Sequence, residues 1–350
     1  MNILAIETSC DETAAAVVKN GKEVLSSIVF SQIPVHAKTG GVVPEVAARA
    51  HVEKVIPVVD EAMRKAKVGK RDISAVAVAA GPGLITSLLV GVDTAKTLAY
   101  SWGKPLVAVS HLDAHMAATE IAIMHGRSKP KKFEVRAKYP RVMLLVSGGH
   151  TQLFLERKKG DRRMLGQTLD DAAGEAFDKA AAVLNLPYPG GPSLSALAEK
   201  GDTTAYAFPR PMSASGDYMF SYSGLKTAFI DEVRELKARG VAREKARANL
   251  AASFEYALVE SLYIKVERAL DQYNAKQVAI VGGVAANKKL RDYFAAQTKK
   301  RTRPQVDFIV PDRPLCTDNA AIVGAAAYEK YRAKKFANPK TLEADTGFGK

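Results

Sequence analysis

Cysteine is nearly absent, with two among 350 residues. That excludes a disulfide-stapled scaffold and points to a reducing compartment. No CxxC pair occurs, so cysteine zinc sites and thioredoxin-type motifs are excluded as well. Long apolar runs are scarce. The one uncharged stretch, residues 73–92, is interrupted by Gly81-Pro82-Gly83. It reads as a buried strand (75–80), a tight turn and a buried helix rather than as a membrane span. The opening MNILAIETSCDE lacks a basic region before its apolar residues, so it does not read as a secretory signal.

Acidic charge is also in deficit: 37 acidic against 51 basic residues, a net +14. The excess is concentrated. Residues 129–138 hold five basic side chains and one acid, 157–163 five and one, 299–303 four, and 330–335 four. These segments together carry more positive charge than the whole chain nets. Such clustering favours a polyanionic partner, nucleic acid first; a merely basic, solvated surface is the alternative.

What is present is ordinary globular material, 47% hydrophobic and 25% charged, in a length that favours two domains. Short strands are expected at 2–7, 14–19 and 23–30, with a polar turn at 8–13 and an Asn20-Gly21 hairpin. The same order recurs about 140 residues later, with strands at 142–146, 152–156 and 163–169 and a small polar turn at 147–151. Further strands are expected at 106–109, 278–281 and 306–310. Helices are expected at 44–67, 87–102, 112–124, 172–184, 224–238, 242–273, 286–299 and 317–335. In the longest, Leu250, Phe254, Leu258, Leu262 and Val266 mark a core-facing stripe. The chain reads as two copies of one α/β unit. Two similar lobes imply a cleft between them, lined by the two polar turns.

Five segments could carry chemistry. His111 and His115 lie four apart at the start of a helix and could share one metal ion, though Leu112 replaces the glutamate of an HExxH protease. Ser147-Gly148-Gly149-His150-Thr151 could bring backbone N–H groups close to an anion, or be a plain hairpin turn. Gly282-Gly283, between an apolar strand and a helix, suits a phosphate or nucleoside cradle, or simply close packing. In Cys316-Thr317-Asp318-Asn319, Thr317 or Asp318 could be a helix cap, or Asp318 a carboxylate facing the cleft. Asp11 and Glu12 place two acids in the first polar turn, where a solvated turn is the ordinary alternative.

Taken in order, Glu7-Thr-Ser-Cys-Asp-Glu-Thr13, Gly40-Gly-Val-Val-Pro-Glu45, Gly81-Pro-Gly83, His111-xxx-His115 and Ser147-Gly-Gly-His-Thr-Gln152 form the first half of a series. Asp170-Asp-Ala-Ala-Gly-Glu-Ala-Phe-Asp178, Tyr188-Pro-Gly-Gly-Pro192, Phe220-Ser-Tyr-Ser-Gly-Leu-Lys226, Gly282-Gly-Val-Ala-Ala-Asn287 and Cys316-Thr-Asp-Asn319 complete it. The series resembles the bacterial tRNA N6-adenosine threonylcarbamoyltransferases, once described as O-sialoglycoprotein endopeptidases, over residues 1 to about 330. The departures are Tyr222 for the family's usual Phe, Ala285 for Ser, and Asp113-Ala114 for a Glu-Gly pair.

The resemblance implies an α/β fold of the actin/Hsp70/sugar-kinase superfamily, with two RNase H-like lobes around a central nucleotide cleft. The lobes are expected at 1–112 with 319–350, and at 113–318 with helical insertions. It implies transfer of the threonylcarbamoyl group of L-threonylcarbamoyladenylate to the N6 amine of the adenosine 3′ to the anticodon, in tRNAs reading codons that begin with A, releasing AMP. His111, His115 and Asp318 are implied as ligands of Fe(II) or Zn. Leu145, Val146, Ser147, Gly148, Gly149, Asp178, Gly191 and Asn287 are implied to bind the adenylate. Asp11 or Glu12 is the candidate base or orienting group, because an aromatic amine is a poor nucleophile. The implied partners are the tRNA anticodon arm, an inactive paralogous subunit and a small P-loop ATPase. A homodimer in isolation, no membrane association and a cytoplasmic location complete the expectation. A kinase of the same superfamily, a metalloprotease and a non-catalytic nucleotide-binding subunit are the rivals; the kinase has no use for the two histidines and Asp318.

Overall fold

The computed structural model describes residues 1–123, 137–240, 244–302 and 305–348. The expected basic stretch at 129–136, Met124, residues 242–243 and Arg303 lie outside the described residues. Contacts divide the chain into two compact units, Met1–Val135 with Asp312–Lys350, and Arg136–Pro311.

The first unit opens with β1 (Asn2–Glu7), β2 (Glu12–Lys19) and β3 (Glu23–Ser31), an antiparallel meander. Asn20 and Gly21 take positive φ (53° and 68°), as the two-residue hairpin requires. A short α1 (Ile33–His36) and a long α2 (Pro44–Ala66) follow. Then come β4 (Ile73–Gly81), α3 (Ile85–Trp102), β5 (Leu106–Ser110), α4 (His111–Ala117) and β6 (Ala122–Ile123). The sheet order is β5-β4-β1-β2-β3-β6, with β1, β4 and β5 parallel. The second unit contains β7 (Arg141–Val146), β8 (Thr151–Lys158), β9 (Asp161–Gln167), α5 (Ala173–Val183), α6 (Gly190–Ala198), α7 (Ser223–Ala238) and α8 (Glu244–Gln272). It closes with β10 (Gln277–Val281), α9 (Lys288–Lys300) and β11 (Asp307–Ile309). Its order, β11-β10-β7-β8-β9, repeats β5-β4-β1-β2-β3 strand for strand and direction for direction. The duplication read from the two strand–turn–strand segments is therefore a duplication of topology. α10 (Ala320–Arg332) returns to the first unit.

The first sheet is buried on both faces. Ile3, Ala5, Val107 and Val109 face Ile322 and Val323 of α10, while Leu4, Ile6, Val76 and Val78 face Val55, Val59, Val92 and Ala95 of α2 and α3. Near-continuous apolar strands are what such burial demands. All five residues of the α8 stripe are buried.

Three expectations need correction. The helix expected over 112–124 ends at Ala117, because 122–123 pair with the edge of β3. α6 has no counterpart among the expected helices. Gly190 is required for close packing: a Cβ there would lie 2.6 Å from Asp178 Cα. Pro192 sits in the first helical turn, where a missing N–H costs nothing. The cap of α10 is Asn319, whose Oδ1 accepts from Ala321 and Ile322 N–H, so Asp318 stays outside the helix.

Tyr222 is fully buried and its hydroxyl has no hydrogen-bond partner among the described residues. Its backbone N–H donates to Asp170 Oδ1 at 2.8 Å, an interaction that survives side-chain truncation. A buried orphan hydroxyl costs about 1–3 kcal/mol. Tyr222→Phe is therefore expected to leave the urea midpoint unchanged or raise it; a marked fall would mean that the hydroxyl has a partner.

Candidate metal centre and adenylate-binding turn

β5 delivers the chain directly into α4, so His111 is the first helical residue and His115 lies one turn further along the same face. Asp318 comes from the far end of the sequence, just ahead of α10. Its Oδ1 lies 3.2 Å from His115 Nε2 and 3.6 Å from His111 Nε2. The donor atoms of all three residues fall within 4.8 Å of one another. The rings meet edge to face, with centroids 4.6 Å apart.

The surroundings favour positive charge. His111 Nδ1 faces Glu7 Oε2 and Ser9 Oγ, both at 3.1 Å, which turns its Nε2 towards Asp318. Burial opposes protonation of His111, but the Asp318 and Glu7 carboxylates outweigh it and the imidazole is pushed up to about 9. Glu7 is itself fixed by the Ser9 N–H at 2.6 Å. A carboxylate behind a ligand histidine is the usual support of a metal site. His115 adds a buried Nδ1 with no hydrogen-bond partner among the described residues. Two imidazoles and a carboxylate suit zinc or divalent iron.

The turn between β1 and β2 holds Cys10 and Asp11, and Glu12 opens β2. Burial, with the neighbouring Asp11 charge, keeps the Cys10 thiol protonated far above its ordinary range. Burial and Asp11 also push the Glu12 carboxyl up to about 9, and Ser31 Oγ donates to it at 3.1 Å. The folded protein thus keeps a proton that the unfolded chain, with a carboxyl near about 4.3, has lost. Ionising Glu12 opposes folding increasingly as pH rises from that range towards 9. In metal-free protein, Glu12→Gln should flatten the decline of stability between pH 5 and 8.5; parallel pH–stability curves would contradict this.

In the second unit, Leu145 and Val146 are the buried end of β7. Ser147 N–H donates to His150 C=O, closing a turn that exposes Gly148 and Gly149. Open space surrounds both glycines where a Cβ would stand. The N-terminus of α5 is held against this turn: Gly174 N–H donates to Ser147 C=O, and a Cβ on Gly174 would lie 2.7 Å from that oxygen. Beside it, Gly282 ends β10 with φ +93°. The arrangement puts two glycine turns at the carboxyl ends of adjacent parallel strands, where α/β sheets take ligands. Asp178 Oδ1 accepts from Gly191 N–H at 3.1 Å.

Asn287 is engaged by the protein itself. Its Oδ1 caps α9 through Leu290 N–H, and its amide donates to Glu255 Oε1 at 2.7 Å and Ser195 Oγ at 2.9 Å. Ser195 Oγ donates in turn to Glu255 Oε1 at 2.6 Å. Glu255, whose carboxyl is raised by burial, lines a cavity of about 650 Å³ with Ser195, Lys289 and Tyr293. Sequence reasoning missed Glu7, Ser195 and Glu255. Glu7 stood in a quoted motif without a role, and the other two lie 92 and 32 residues from Asn287.

A family model described as tRNA N6-adenosine threonylcarbamoyltransferase matches residues 23–325. The chain belongs to this family. It is therefore a transferase, and the family's reaction places a threonylcarbamoyl group on adenosine in tRNA. A curated relative of that name from Anaeromyxobacter dehalogenans is 47% identical over 343 residues, covering 98% of both chains. Another from Moorella thermoacetica is 48% identical, covering 98% of this chain and 95% of its own. Among solved structures, HypF from T. kodakarensis matches with TM-score 0.57 at 15% identity, over 97% of this chain and 49% of that one. Component A of (R)-2-hydroxyglutaryl-CoA dehydratase from Acidaminococcus fermentans matches at 0.52 and 16%, over 95% and 99%. At such identities these two speak for the fold alone. No helix among the described residues is long and apolar enough to cross a membrane.

Proposed function

We propose that the protein transfers the threonylcarbamoyl group of L-threonylcarbamoyladenylate to N6 of the adenosine 3′ to the anticodon, in tRNAs reading codons that begin with A. A bond forms between N6 and the carbamoyl carbon, the bond from that carbon to the phosphate oxygen breaks, and AMP leaves with the electron pair. The amine proton must go to a base. The observation that carries this reading is the convergence of His111, His115 and Asp318 in a chain whose family match spans 23–325.

These three residues would hold one divalent iron or zinc ion, which would supply Lewis acidity and positive charge. The protein's own groups do the rest. The exposed Gly148 and Gly149 let the main chain approach the donor's phosphate. Leu145, Val146 and Ser147 set that turn, and Asp178, which accepts from Gly191 N–H, is proposed to complete the adenylate site. The cavity beside Glu255 would take the nucleoside end, with Asn287 shaping its wall rather than reading the base through its amide. Asp11 is the group assigned to accept one or to orient the amine. Asp11→Asn is expected to lower transfer at unchanged metal content; unaltered turnover would remove Asp11 from the reaction.

The reading places the protein in the cytoplasm with the anticodon arm of tRNA, an inactive paralogous subunit and a small P-loop ATPase as partners. The exposed tip of the β8–β9 hairpin, with Arg157, Lys158 and Lys159, suits contact with phosphates. Val52 and Ile56 of α2 and Ile85 and Leu89 of α3 are apolar, exposed and spaced four apart, which suits a protein partner or a second copy of this chain. The test is reconstitution: protein, partners, donor and unmodified tRNA, with the modified nucleoside read by mass spectrometry and each component omitted in turn. Product without this chain, or none with all components, would overturn the reading.

A further inference from the structure

His51, on α2, is completely buried and bonded on both ring nitrogens. Its Nε2 lies 3.0 Å from the Cys10 carbonyl. A carbonyl can only accept, so Nε2 carries the hydrogen. Nδ1 is then the acceptor, and Thr13 Oγ1 donates to it at 2.8 Å. Burial, the leading influence, lowers the affinity of this ring for a second proton, in keeping with the neutral tautomer.

The neighbours extend the same direction of bonding. Gln32 Nε2 donates to Ala47 C=O at 3.3 Å and reaches His51 Nδ1 at 3.5 Å. Gln32 Oε1 accepts from His36 Nε2 at 3.1 Å, and the Val43 N–H lies 3.4 Å from His36 Nδ1. Gln32 N–H donates to Asp11 C=O at 3.2 Å. The turn carrying Asp11, with Glu12 at its edge, is thus pinned at Cys10, Asp11 and Thr13 from outside its own strands.

We propose that His51 is a positioning residue for this turn: through its Nε2–H bond to the Cys10 carbonyl it sets where the Asp11 and Glu12 carboxyl groups point. The proposal rests on the functional reading above only for its kinetic consequence. Its structural content stands apart from that reading.

Two substitutions separate the ring's two bonds. Glutamine places an amide N–H near the position of Nε2 and keeps the donor to Cys10. Asparagine keeps a polar atom near Nδ1, for Thr13, and loses that donor. Each removes one buried hydrogen bond, so similar falls in thermal midpoint are expected. Hydrogen exchange of the 9–13 amides should quicken at least about tenfold in His51→Asn and stay near wild type in His51→Gln. In the reconstituted reaction, His51→Asn should lower kcat by about 10–100-fold with KM for tRNA unchanged, the size of effect that misplaced groups produce. His51→Gln should restore kcat to within about threefold. Equal exchange in the two variants, or kcat values that simply follow thermal stability, would overturn the proposal. A wild-type protein that fails to modify tRNA would count against the function, while the exchange result would still decide the role of His51.

Discussion

His115→Ala is expected to strip the protein of its metal and to lower threonylcarbamoyl transfer by at least about 100-fold. Removing an outer partner of a metal ligand already costs about 10–100-fold in affinity or activity, and His115 is an implied ligand itself. The loss should exceed that of Glu7→Gln, which leaves all three donors in place. Glu7→Gln keeps an oxygen for one of its two neighbours only, because the amide group would face either His111 Nδ1 or the Ser9 N–H. It should weaken metal retention without abolishing it. Elemental analysis of purified, metal-loaded protein orders the three forms, and mass spectrometry of the tRNA orders their turnover. Since His115 is only 1% exposed, truncation also opens a cavity, so the thermal midpoint of each variant serves as a control. A fully active, fully loaded His115→Ala protein would sink the assignment of the site.

The second large effect concerns the glycine turns of the other unit, where two similar substitutions should have opposite consequences. Gly282 has φ +93°, and a Cβ there would sit 2.3 Å from the Val146 carbonyl oxygen. Gly282→Ala combines a left-handed backbone with a collision against the end of β7. A loss of about 2–4 kcal/mol is expected, within the range of strained-backbone and overpacking changes. Gly148 has neither constraint, and nothing lies within 4 Å of a Cβ built on it. Gly148→Ala should fold normally, within about 0.5 kcal/mol of wild type. Yet it should raise the KM for the adenylate, because its methyl group would keep the phosphate from the main chain. Calorimetry and donor titration read the two effects separately. Normal donor affinity in Gly148→Ala would mean that the turn is only a hairpin.

The sequence made much of this legible because the signals were local. Apolar strands joined by short polar turns disclosed both halves of the duplicated topology, and an i,i+4 histidine pair announced its own geometry. Asp318 was found through resemblance to a family, since 203 residues separate it from His115. What stayed hidden depended on tertiary partners. The helix opened by His111 looked continuous to 124 until the edge of β3 claimed 122–123 as a strand. α6 had no counterpart among the expected helices, because the packing of Gly190 against Asp178 is a tertiary contact. His51 lies in an apolar helical pattern where a buried histidine and a surface one look alike, and its partners Cys10 and Thr13 are 41 and 38 residues away.

The first unit is assembled from both ends of the chain, and this bears on how the protein is made. Ile322 and Val323 cover one face of a sheet whose strands leave the ribosome roughly two to three hundred residues earlier. Until they emerge, that face lacks its cover and His111 and His115 lack the carboxylate at 318. The nascent protein can complete the intervening unit first, since residues 136–311 are contiguous. The candidate metal site is thus completed late in synthesis, and a chain cut short before 318 lacks its carboxylate.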